Sequence, residues 1–86
     1  MTYADWDAVR AELMALLDQI GDDLPPHDRT NVIDLIDAGE FGVAFETFTT
    51  QLYEHGVAVG RDMAARLKML GERLKLDPSL WEILDG

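Results

Sequence analysis

Apolar residues recur along this chain at three-and-four spacing, and the runs are broken by glycine and proline. In the first run Trp6, Val9, Leu13, Leu16, Leu17 and Ile20 fall on one stripe, ending near Gly21. That spacing matches the 3.6-residue period of an amphipathic helix. A helix buries its apolar stripe only against other elements. The pattern therefore predicts an all-α fold, a compact bundle of four main helices plus a short C-terminal helix, with residues 1–86 as a single domain.

The breakers set the corners. "GDDLPPHD" holds Gly21 and the Pro25-Pro26 pair, and proline fixes φ while disfavouring a helical residue before it, so the chain turns there. Helix 2 is expected to start between Pro26 and Asp28, to bury Val32, Ile33 and Ile36, and to stop near Gly39. Helix 3 spans Glu40 to His55, with all three phenylalanines, Phe41, Phe45 and Phe48, on one stripe with Leu52. "VAVG" is expected to form a loop against the core, because a lone strand has nothing to pair with. Helix 4, about Arg61 to Lys75, turns Met63, Leu67, Leu70 and Leu74 inward, and Gly71 is expected to cost it roughly 1 kcal/mol relative to alanine. In "LDPSLWEIL", Asp77 as N-cap and Pro78 at the first helical position launch a terminal helix laying Leu80, Trp81 and Leu84 over the bundle.

Charge narrows the function classes. Residues 1–56 hold 12 acids against Arg10 and Arg29, which gives 2 − 12 = −10, while residues 57–86 hold five charges of each sign. The whole net charge of −10 thus lies in the first two thirds. Such a field repels nucleic acid and anionic membranes and draws in basic surfaces. A solvated acidic surface that keeps the protein soluble is the plainer alternative. The absence of cysteine removes disulfides and thiol chemistry. With no secretory pattern in "MTYADWDAVRAEL" and no apolar run of bilayer length, the expected compartment is the cytoplasm.

Specific chemistries find little purchase. The stretch "VIDLIDAGEFGVAFETF" looks like a calcium loop, which needs oxygen ligands at positions 1, 3, 5 and 12 around a glycine at 6. With Gly39 at position 6, the others become Asp34, Ile36, Ala38 and Phe45; with Gly42 they become Asp37, Gly39, Phe41 and Phe48. Neither register forms a cage. Asp34 and Asp37 lie on a side of helix 2 away from Ile36 and are expected to be exposed instead of paired for acid–base work. His27 and His55 have no companion ligands, and His55 is read as a dipole contact at a helix end. Ser79, the only serine, follows a proline, unlike the Asp-Ser-Leu of acyl carrier proteins. The basic residues Arg61, Arg66, Lys68, Arg73 and Lys75 lie among balancing acids, so no direct nucleic-acid interface is expected. No enzymatic activity, cofactor or metal is predicted, and protein binding is the default.

"DLIDAGEFGVAFETFTTQLYE", residues 34–54, followed by a mixed-charge helix and "LKLDPSLWEIL", resembles the MafI family of small immunity proteins of bacterial polymorphic toxin systems. The likeness rests on "AGE" at Ala38–Glu40, on Ala44 to Glu46, and on the closing leucine-tryptophan segment. It implies a cytoplasmic antidote that binds the toxic C-terminal domain of a secreted or contact-delivered protein. It transfers no catalytic residues. Family and charge together imply a toxin with a basic surface, a nuclease, neutralised by occlusion.

At about 100° per residue, the side of helix 3 opposite the phenylalanines carries Val43, Glu46, Thr50 and Glu54, with Tyr53 at its edge. Together with Asp34 and Asp37 of helix 2 these form the expected toxin-binding surface. Each has an ordinary alternative: an isolated exposed valine, a tyrosine at the core's edge, and solubilising acids. Glu40 and Glu46 fit the family pattern, but Glu40 also sits where an acid favours a helix start. An acidic helical adaptor with no toxin partner remains the competing function.

Overall fold

The computed structural model describes residues 6–85 as four helices, α1 (Trp6–Ile20), α2 (Pro26–Asp37), α3 (Phe41–Glu54) and α4 (Arg61–Arg73), then a one-turn α5 (Ser79–Glu82). Single 3₁₀ turns follow α1 at Gly21–Asp23 and α5 at Ile83–Asp85, and the described residues contain no strand. This is the predicted all-α bundle, with helix ends within two residues of those expected from the breakers. None of these helices is long and apolar enough to cross a membrane.

Three helices end the same way. After α2, Glu40 N–H reaches back to Leu35 C=O at 2.9 Å and Gly39 N–H to Ile36 C=O at 3.0 Å, with Gly39 at φ +78°. The end of α3 repeats this with Gly56 at φ +62°. This paired closure needs one residue in the left-handed region, where glycine carries no Cβ penalty. At the end of α4 the same closure is made by Lys75 at φ +60°, a strained position for a side-chain-bearing residue. The first corner also turns on a left-handed glycine, Gly21 at φ +55°, but passes through a 3₁₀ turn to Leu24, which is fully buried.

α3 lies at the centre. Phe45, Phe48 and Leu52 are fully buried with Leu13 and Leu16 of α1, Ile36 of α2 and Leu67 of α4. Full burial of such side chains contributes roughly 1.5–3 kcal/mol each. Thr49, the one buried polar residue of this core, donates its hydroxyl to the carbonyls of Phe45 and Glu46, both at 3.1 Å, and so leaves no orphaned group. α2 and α3 run antiparallel, tied at one end by His55 Nε2 and Asp28 Oδ2 at 2.7 Å. His55 is therefore more than a dipole contact: it bridges the end of α3 to the start of α2. Val57 and Val59 of the "VAVG" loop pack against the core without forming a strand, as expected.

α5 acts as a wedge. The Asp77 carboxylate accepts the Ser79 N–H at 2.9 Å, the capping role expected of it, and this hydrogen bond holds its pKa below the usual aspartate range. The turn it starts drives Trp81 between α3 and α4. There the indole meets the Phe45 ring edge-on, with centroids 6.2 Å apart. On its other side, a Cβ added at Gly71 would overlap the benzene ring of Trp81. The expected helix penalty at Gly71 is thus reversed in meaning, because the missing side chain is the notch that admits the wedge.

α1 and α4 are joined by Arg66, whose Nε and Nη2 donate to the two Glu12 oxygens at 2.9 and 3.1 Å and whose Nη1 donates to Gln19 at 3.0 Å. These bonds hold the Glu12 carboxyl below the usual glutamate range and raise Arg66. Trp6 is the clear departure from the predicted inward stripe of α1: it is 52% exposed. Phe41 and Leu74, also expected inward, are only partly buried at the core's edge.

Candidate interaction surface

On α3 the five predicted positions stand together. Val43, Glu46, Thr50, Tyr53 and Glu54 are all exposed, Val43 by 45% and Tyr53 by 60%. The reason is the helical period: with Phe45, Phe48 and Leu52 held in the core, residues about half a turn away must face out. α3 carries no lysine or arginine along its length. Among the described residues Glu46 and Glu54 make no ion pair. The face thus offers two uncompensated carboxylates beside an aliphatic and an aromatic side chain.

Asp34 and Asp37 of α2 are exposed too, but they do not extend that face. Asp28 points toward α3, as its bond to His55 shows, while Asp37 accepts from Arg10 of α1 at 3.4 Å. Nine residues separate the two, so at about 100° each they lie on opposite sides of α2. Asp34, about 60° round from Asp37, goes with it and away from α3. The expected single surface is therefore two patches.

A groove lies at the α2–α3 corner. It encloses about 570 Å³ and is lined by Trp6, Asp7 and Arg10 of α1, by Gly39 to Val43, and by Leu74. Trp6 stacks on Phe41 with ring centroids 5.5 Å apart and planes 21° from parallel. The Arg10 guanidinium also sits over the Phe41 ring, 5.5 Å from its centroid, while Asp37 holds it by an ion pair. Val43 thus belongs both to the α3 face and to the groove, and Asp37 anchors the groove's arginine. Trp6, Arg10 and Phe41 are missing from the predicted surface, because only the packing of α1 against the corner brings them together. A tryptophan on a helical stripe reads as core, and its one outward signal is its place at the start of the run.

Apart from Arg10, the groove and the α3 face carry no positive side chain. Arg61, Lys68 and Arg73 are exposed on α4, which packs against α1 and α5. Among the described residues no group of three His, Asp or Glu side chains is arranged to hold a metal ion. Exposed aromatics, carboxylates and a shallow groove are the parts of a protein-binding surface. Comparison with known proteins finds no matching family model, curated protein or solved structure.

Proposed function

We propose that this chain is an immunity protein of the MafI kind, acting in the cytoplasm to bind the C-terminal domain of a toxin with a basic surface, a nuclease, and to neutralise it by occlusion. The observation that carries the reading is the outer face of α3. Its two unpaired glutamates, with Val43 and Tyr53 exposed beside them and no cation on the helix, suit a lysine- and arginine-rich partner. Opposite charge speeds the encounter, and a desolvated aromatic anchors the complex. No chemistry is asked of the chain itself, since covering a substrate surface is enough.

Co-expression with the toxin domain encoded beside it tests the proposal. Growth is rescued, and the two proteins purify as a stoichiometric complex that weakens with salt. A folded protein that fails to rescue overturns the toxin reading and favours the acidic adaptor. Reversing charge at the face, with Glu46→Lys and Glu54→Lys together, leaves helicity and melting nearly unchanged and weakens the complex. Equal affinity at low salt would remove α3 from the interface.

A further inference from the structure

Resting on that reading, we propose that the corner groove receives an arginine side chain of the basic partner, stacked on Trp6 and paired with Asp7 and Glu40. The molecule already shows this chemistry once. Arg10 lies over the Phe41 ring at 5.5 Å with a carboxylate, Asp37, at 3.4 Å. An aromatic face plus a carboxylate is the environment that suits a planar guanidinium, which stacks and forks where an ammonium acts as a point charge. Trp6 repeats the aromatic half of that pair in the open: it is stacked on Phe41, half exposed, and tryptophan is the strongest cation-binding ring. Asp7 and Glu40, both exposed on the groove's lining, repeat the carboxylate half and make no ion pair among the described residues. Since Asp37 compensates Arg10, the groove's remaining charge is negative, and an incoming cation meets attraction instead of repulsion.

The chain's two tryptophans make the test direct, because Trp6 lines the groove and Trp81 is buried. The ¹⁵N-labelled full chain is titrated with hexa-arginine and, separately, hexa-lysine, following both indole N–H signals. Hexa-arginine shifts the Trp6 signal saturably and leaves that of Trp81 in place. Hexa-lysine binds at Trp6 at least about fivefold more weakly, since it lacks the planar stack. The double variant Asp7→Asn, Glu40→Gln weakens hexa-arginine at Trp6 by roughly tenfold. Equal binding of the two peptides at Trp6, an unmoved Trp6 signal, or full affinity in the double variant would each overturn the proposal. The peptides stand apart from any toxin: a silent Trp6 alongside rescued growth removes the groove alone, and a responsive Trp6 with no rescue removes the toxin reading.

Discussion

Two tryptophans meet two phenylalanines on α3, with opposite results. Trp81 meets Phe45 edge-on and is buried, while Trp6 lies flat on Phe41 and is half exposed. The phenylalanines are four residues apart, about one helical turn, so the helix presents nearly the same chemistry twice on one side. What separates the pairs is the third partner. Gly71 opens a notch in α4 that encloses Trp81, whereas the space beside Trp6 is a groove open to solvent. An aromatic pair becomes a lock or a handle according to the volume left around it.

Truncating each ring should expose the contrast. Trp81→Ala removes a buried side chain between two helices and is expected to cost about 3–5 kcal/mol, read by chemical denaturation. Gly71→Ala comes next: helix propensity alone favours the alanine by roughly 1 kcal/mol, but the new methyl overlaps a rigid ring, so a net loss of roughly 1–3 kcal/mol is expected. A stabilised Gly71→Ala protein would show that α5 can shift freely and that the notch is incidental. Trp6→Ala should cost only about 1 kcal/mol of stability, the stacking energy of a half-exposed pair. A loss there as large as at Trp81 would erase the distinction between lock and handle.

The smallest effect concerns the clamp that holds α1, and with it Trp6, against α4. Glu12 has a lower pKa folded than unfolded, where about 4.3 is usual for glutamate. Its contribution is therefore full above the unfolded value and fades as pH falls through the lowered one. Thermal melts should place Glu12→Gln slightly below the parent protein near pH 6, with the gap narrowing as pH falls below the usual glutamate value of about 4.3. A constant gap across that range would mean that the carboxylate's charge plays no part in the clamp.

The helices were legible in the sequence because their determinants are local: periodic apolar residues, prolines at starts, glycines at ends. The outer face of α3 was legible for the same reason, since one helix fixes its own two sides. Relations between helices were not. Gly71 read as a weakness because the ring that fills its notch arrives ten positions later through a turn whose direction no local pattern encodes. Trp6 read as core because its stripe gives no hint that the helix runs past the edge of the bundle. Asp37 read as part of the α3 face because only the packing of α1 against α2 brings Arg10 to it.

The place of the wedge in chain order has a consequence for folding. Phe45 and Gly71 both precede Trp81 in the chain, so a chain that has formed only its first four helices carries an unfilled seam between two of them. Local helical contacts form early, but cooperative closure waits for the final turn. Until then the exposed seam is a surface for chaperones or for misassociation. Truncation before residue 81 is therefore expected to leave the seam between α3 and α4 open and to make unfolding less cooperative.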